Sequence, residues 1–281
     1  MNYRHAFHAG NFADLQKHAI LIALLTALTA DETPLSVIDT HAGAGAYDLG
    51  GDMAQRSGEA AAGIGKLLAA AKVPGGAPAV FAPLVAAVKA LNDGGQGSLY
   101  PGSPLLIARS LRKTDRYVAC ELRPDDFDSL RRSLAPYPFA QAVRDDGYAT
   151  AVAKAGKGGQ GKGKTFVLID PPFERSDDYA QIVATTKAVL ARDSQAVIAA
   201  WMPLKDLETF DAFMRAMETV TRDALAAELR LRPLVDPMKM NGCAMVMVGA
   251  PRSAEPAITE VTTWLAENVG DAGAKARIWR A

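Results

Sequence analysis

The chain has 281 residues with 49% hydrophobic and 22% charged residues, the composition of a globular α/β domain large enough to bury a core without disulfide or metal staples. Lys+Arg and Asp+Glu are both 31, which argues against a protein that coats nucleic acid non-specifically, although a local basic patch is still allowed. Cys120 and Cys243 sit in apolar runs and read as buried reduced thiols, the N-terminus lacks the order of a signal peptide, and the longest apolar run is too short to span a bilayer. A cytoplasmic location is expected.

In chain order, residues 11–28 read as a helix, with Leu15, Ile20, Leu24, Leu25 and Leu28 on its period and Asn11 as its cap. A short buried strand over 35–39 runs into Thr40-His41-Ala42-Gly43-Ala44-Gly45. Residues 48–100 then change character. Two alanine-rich helical stretches, about 59–72 and 78–92, flank a Pro-Gly-Gly break and read as an inserted helical subdomain. Residues 1–47 and 101–281 are expected to form the main domain.

Alternation resumes with strands at 116–121, 139–145, 165–170 and 195–201 and helices at about 104–112, 125–134, 178–191 and 205–219. Two late strands, 224–233 and 242–249, are expected to meet at an Asn241-Gly242 turn, before a last helix at 254–268. This pattern predicts a doubly wound, mostly parallel, Rossmann-like α/β sheet.

The most specific motif is Asp170-Pro171-Pro172-Phe173, directly after an apolar strand and therefore at the carboxyl end of the sheet. The prolines remove two backbone donors and leave the Asp170 and Pro171 carbonyls free to face outward. A carboxylate beside such a carbonyl offers two acceptors to one amino group, and Phe173 offers a face on which a base can stack. An exocyclic amine is a poor nucleophile, because its lone pair is delocalised into the ring. Two acceptors aim that lone pair at a methyl donor, and one of them takes the departing proton. The bland alternative is a proline-terminated strand followed by a core aromatic.

Other candidates fall at the ends of successive strands. Gly43 and Gly45 allow close backbone approach to a ligand. Ser103 is expected to cap a helix whose first residue is Pro104, and the glycine loop and this helix start are expected to meet in space. Glu121 has the position of an acidic residue that accepts from ribose hydroxyls. Asp146, followed by Gly147, can accept from an adenine amino group. All four histidines (His5, His8, His18, His41) lie within the first 41 residues, but without a strong metal spacing. His18 and His41 are expected to line the cofactor pocket, with the N-terminal segment closing over it. Gly158–Thr165 matches the phosphate-loop pattern letter for letter. It precedes a strand and not a helix, so nucleotide hydrolysis is rejected; lysine contact with RNA phosphate is the modest alternative. Tyr3 and Arg4 begin a run of basic and aromatic residues suited to an unstacked nucleotide.

These blocks together carry a resemblance. Tyr3-Arg4-His5, Phe7-His8-Ala9-Gly10-Asn11, Lys17-His18, Asp39 to Gly45, Tyr100-Pro101-Gly102-Ser103-Pro104, Glu121-Leu122, Asp146-Gly147 and Asp170 to Phe173 resemble the RlmJ family of bacterial 23S ribosomal RNA adenine-N6 methyltransferases. The resemblance runs from residue 3 to about residue 250. It implies a class I methyltransferase fold with a helical insert. It implies S-adenosylmethionine contacts at His18, His41, Ser103, Glu121, Asp146 and Gly147. It also implies Asp170 as proton acceptor and Tyr3 as a contact to substrate RNA. Phe173 stands where the family carries tyrosine, which keeps stacking and removes a hydroxyl. DNA adenine or small-amine methylation on the same fold, a non-catalytic RNA-binding protein and a histidine metalloprotein are the competing readings.

Overall fold

The structure is a computed structural model and describes residues 5–92, 98–156, 163–235 and 240–281. Tyr3, Arg4 and most of the glycine-lysine stretch at 154–164 lie outside the described residues.

After a 3-10 turn at His5–Phe7, helix α1 spans Phe12–Leu28. Its start is fixed by Asn11, whose side chain accepts from the N–H groups of Ala13 and Asp14, as expected of a cap. Strand β1 (Leu35–Asp39) leads to β2 (Ala46–Asp48), α2 (Asp52–Ser57), α3 (Lys66–Ala70), α4 (Ala82–Asn92) and β3 (Leu99–Pro101). Then follow α5 (Ser103–Ser110), β4 (Arg116–Cys120), α6 (Pro124–Leu134), β5 (Ala140–Val143), α7 (Gly147–Lys154) and β6 (Lys164–Ile169). The chain ends with α8 (Asp178–Arg192), β7 (Val197–Leu204), α9 (Leu207–Glu218), β8 (Ala224–Arg230), β9 (Gly242–Val248), α10 (Glu255–Asn268) and β10 (Lys275–Arg280).

Eight strands form one sheet in the order β10-β8-β9-β7-β6-β1-β4-β5. The five from β7 to β5 are parallel to their neighbours, whereas β9 runs antiparallel to β7 and β8, and β10 antiparallel to β8. The chain winds outward from β1 through β4 to β5, then returns to lay β6 on the other side of β1. Strand order therefore reverses between β1 and β6, and open α/β sheets bind ligands at the carboxyl ends of such strands. One apolar layer joins the sheet to α1, α5 and α10, and a second joins its other face to α7, α8 and α9.

Residues 48–100 leave and re-enter through a two-stranded antiparallel ribbon, with Tyr47 opposite Tyr100. Their helices pack on the main body and share its core: the Phe81 and Trp264 rings lie 4.9 Å apart, and Trp264 donates to the Gly76 carbonyl at 3.2 Å.

Three sequence expectations need correction. Asn241-Gly242 is not a hairpin turn, because Gly242 is already in register with Arg230 and Leu204. Its glycine answers a packing need, since a Cβ there would meet the Leu229 carbonyl oxygen at 2.2 Å. Ser103 is not the cap of α5; Gly102 is, and Ser103 is the first helical residue. Finally, β10 and the β2–β3 ribbon were not anticipated.

Candidate active site

At the carboxyl ends of β1, β4, β5 and β6 the sheet opens into a cavity of about 1200 Å³. His18, His41, Gly43, Ser103, Glu121, Asp146, Gly147, Asp170, Pro171 and Phe173 line it, whereas Gly45, expected to approach the ligand with Gly43, does not. They reach it from six different segments, so folding brings together what the sequence scatters.

The floor is the crossing of β1 with the start of α5. Gly102 N–H donates to the Gly45 carbonyl at 2.8 Å, so the glycine loop and the helix start do meet. The Ser103 hydroxyl, released from capping, donates to Asp39 Oδ2 at 3.0 Å, and the Tyr117 hydroxyl reaches the same oxygen at 3.2 Å. Burial pushes the Asp39 carboxyl up to about 7, against those two hydrogen bonds.

One wall is built from backbone donors and two carboxylates. Glu121 Oε2 accepts from Gly43 N–H at 2.9 Å and Oε1 from Arg123 N–H at 2.7 Å. Burial raises the Glu121 carboxyl, while those same bonds fix its plane. Asp146 caps α7 through Ala149 N–H at 2.9 Å. Beside it, Gly147 is required by contact: a Cβ would lie 1.9 Å from the Thr40 carbonyl oxygen, backbone against backbone. Gly147→Ala is expected to force α7 off the end of β1 and to destabilise the protein by about 1–3 kcal/mol. Urea unfolding checks this, and an unchanged midpoint contradicts it.

His41 accepts or donates at 2.8 Å with the Thr40 hydroxyl and packs edge-on against Tyr148 at 4.9 Å. Burial lowers it to about 4, despite the attraction of Asp170 and Asp146. A folded-state value below the unfolded value of about 6.5 means the neutral ring stabilises the protein above pH 6.5 and ceases to as pH falls. His41→Asn removes this term. The stability gap between wild type and variant is expected to narrow by about 2 kcal/mol between pH 7.5 and 4.5. Paired urea titrations read the gap, and a constant gap contradicts the assignment.

The opposite wall centres on Asp170, the residue after β6. Lys17 Nζ donates to Asp170 Oδ2 at 2.7 Å and pairs with Asp14 Oδ1 at 3.0 Å, and it lies 5.8 Å from the centre of the Trp201 ring. Asp14 Oδ2 also accepts from His5 Nε2 at 3.0 Å and Gly10 N–H at 2.9 Å. Burial opposes the Asp14 charge, but His5 and Lys17 outweigh it and hold the carboxyl well below the usual range. His18 shares a 2.8 Å hydrogen bond with the Tyr100 hydroxyl. Its buried Nε2 has no hydrogen-bond partner among the described residues, and burial lowers the ring to about 3. Phe173 takes φ of 51°, a conformation costly for a residue with a Cβ. Its ring lies 4.9 Å from Tyr179 and 5.8 Å from Trp201.

The histidines are thus dispersed among separate partners, with His8 on Glu59 at 3.0 Å. Among the described residues no group of three or more His, Cys, Asp or Glu side chains forms a metal site. Sequence reasoning missed Asp14 and Trp201 entirely. Asp14 was legible only as a first-turn acid on α1, which ordinarily answers the helix dipole.

Residues 32–281 match the family model described as ribosomal RNA large subunit methyltransferase D, RlmJ. The chain is 32% identical over 274 residues to ribosomal RNA large subunit methyltransferase J of Escherichia coli, covering 97% of this chain and 95% of that one. It is 32% identical over 275 residues to the protein of the same name from Haemophilus influenzae, covering 96% and 94%. A crystal structure of a Legionella pneumophila protein superposes with a TM-score of 0.88 at 28% identity, covering 98% of both chains.

Proposed function

The chain belongs to the RlmJ family of ribosomal RNA large subunit methyltransferases, and from that premise we propose that it transfers a methyl group from S-adenosylmethionine to the exocyclic N6 of an adenine in 23S ribosomal RNA. The observation that carries this reading is the position of Asp170-Pro171-Pro172-Phe173, at the strand-order reversal and in one cavity with Glu121, Asp146 and His41.

The residues present fit the cofactor. Glu121 and Asp146 are acceptors held rigid by backbone N–H groups. His18 brings to the cavity a buried Nε2 that has no hydrogen-bond partner among the described residues and lies 3.9 Å from Asp14 Oδ1. Gly147 lets the start of α7 close against the Thr40 backbone at the cavity wall. His18, His41, Gly43, Ser103, Glu121, Asp146 and Gly147 would hold the cofactor, which when bound supplies an electrophilic methyl group on a sulfonium. Glu121 serves the ribose hydroxyls and Asp146 the adenine amino group.

Lys17 occupies Asp170 Oδ2 and fixes the carboxylate, leaving its second oxygen for the substrate amine. That oxygen and the Pro171 carbonyl each accept one N6 hydrogen, which turns the nitrogen lone pair toward the methyl group. As the N–C bond formed and the methyl–sulfur bond of the cofactor broke, its electron pair staying on the then neutral sulfur, the amine would lose a proton to Asp170. Phe173 stacks on the base, which has to leave its own helix to reach the cavity. Tyr3 and Arg4 are assigned to the RNA.

A competition assay tests this reading: unmodified 23S ribosomal RNA and DNA of matched sequence are offered together with S-adenosylmethionine. Methyl incorporation confined to RNA is expected. Incorporation into DNA instead would move the assignment to another substrate on the same fold.

A further inference from the structure

The end of the sheet that carries Asp170 is uneven. Ile169, the last residue of β6, pairs with Ala200, so β7 continues past it to Leu204, a rise of about 13 Å at about 3.3 Å per residue. Leu204, Gly242, Arg230 and Lys275 are successive register partners across β7, β9, β8 and β10. They form the rim of a wall beside the cavity, and the near end of that wall contributes Trp201, Pro203 and Lys205 to the lining.

The far end of the wall is positively charged on the sheet face shared with Met202 and Leu204, the face opposite the one on which Trp201 lies. The alternation of β10 puts Lys275, Arg277 and Trp279 on one face, opposite Arg230, Glu228 and Ala226 of β8. Glu228 is 1% exposed and is neutralised by Arg230 at 2.8 Å, while Trp279 donates to it as well. Arg277 lies 3.9 Å from the same carboxylate, with its guanidinium 5.4 Å from the Trp279 ring centre, and stays 65% exposed. One buried carboxylate is thus set against two arginines, with Lys275 exposed beside them.

The other flank of the cavity differs. Residues 121–146 hold six acids against four arginines. In a chain of zero net charge this asymmetry gives an approaching polyanion a preferred side. Charges on an edge strand also keep sheets from pairing edge to edge, which is the competing explanation. That role does not require a guanidinium held over an indole and turned outward.

We propose that Lys275 and Arg277, on the outer face of β10, bind phosphates of the RNA strand whose adenine enters the Asp170 cavity. The proposal rests on the function given above. Four strand spacings separate β6 from β10, about 19 Å at about 4.8 Å each, so the contacts fall on nucleotides flanking the target and not on the target itself. They carry affinity without reading sequence.

The test is a K275Q/R277Q variant, measured for binding and methylation of unmodified 23S ribosomal RNA across a salt series. Losing two phosphate contacts is expected to lower the slope of log affinity against log salt by about 1.5 and to raise the RNA KM about tenfold near 0.15 M salt. The charge-conserving K275R/R277K variant is expected to restore the slope. Gel filtration and S-adenosylmethionine binding check that the Gln variant is folded. An unchanged slope and KM, in a preparation whose wild type methylates RNA, overturns the proposal and leaves the function standing. So does a variant whose only change is self-association. Absence of RNA methylation by wild type overturns both.

Discussion

Asp170→Asn is expected to lower kcat by about 1,000-fold while leaving cofactor affinity and melting temperature close to wild type. An asparagine keeps the shape of the side chain and can still accept from Lys17 through its amide oxygen, so the wall of the cavity survives. Its other atom is now a donor aimed where an amine must donate. The neutral amide can neither orient the N6 hydrogens nor accept the proton released on transfer. Both losses act on the transition state, so the effect belongs in kcat and only weakly in KM. Steady-state rates at saturating RNA measure it. A variant within tenfold of wild type would remove Asp170 from the chemistry.

The second large effect concerns Asp14. This carboxylate is 2% exposed and collects the His5 ring, the Gly10 N–H and the Lys17 ammonium. Asp14→Ala leaves all three without that acceptor. Lys17 keeps Asp170, but the N-terminal turn loses both anchors to α1. Removing one partner from a buried ionic cluster costs about 3–5 kcal/mol, a large share of the 5–15 kcal/mol that holds typical domains together. A lower melting temperature and a lower urea midpoint are the expected readouts. Replacing Asp14 by Leu together with Lys17 by Met is expected to recover much of the stability, because it removes the uncompensated charge along with the pair. Activity is not expected to return, since Asp170 then lacks the ammonium that fixes Oδ2. If Asp14→Ala melts like wild type, the cluster carries little of the fold.

Most of the sheet was legible because each strand of its parallel half is a short apolar run between helices of clear period. The strand of Asp170 reads Phe166-Val167-Leu168-Ile169 and is wholly buried. The lining of the candidate site was legible where its residues sit directly after such a strand, as with His41, Glu121 and Asp170. It was not legible where the role depends on a distant partner. Asp14 lies on the same helix as Leu15 and Ile20, and nothing local says that its neighbours will be His5 and Lys17 rather than water. Ser103 read as a cap because its position suits one, yet the helix starts at Ser103 itself with Gly102 as its cap, and the hydroxyl donates to Asp39 in the cavity floor. Gly242 read as a turn because glycine after asparagine usually marks one, whereas here the close approach of the Leu229 carbonyl demands it. The last strand escaped notice because its alternation, Lys275-Ala276-Arg277-Ile278, is carried by charged residues at the edge of the sheet, where cations replace the apolar signal.

Adenine N6 is the proposed acceptor of the methyl group in this cavity. Nucleoside analysis of unmodified 23S ribosomal RNA, after reaction with S-adenosylmethionine and the wild-type protein, tests it most directly. One N6-methyladenosine per RNA molecule is expected, and none from Asp170→Asn under the same conditions. Methyl groups on another atom or another base, or N6-methyladenosine formed equally well by the variant, would contradict it.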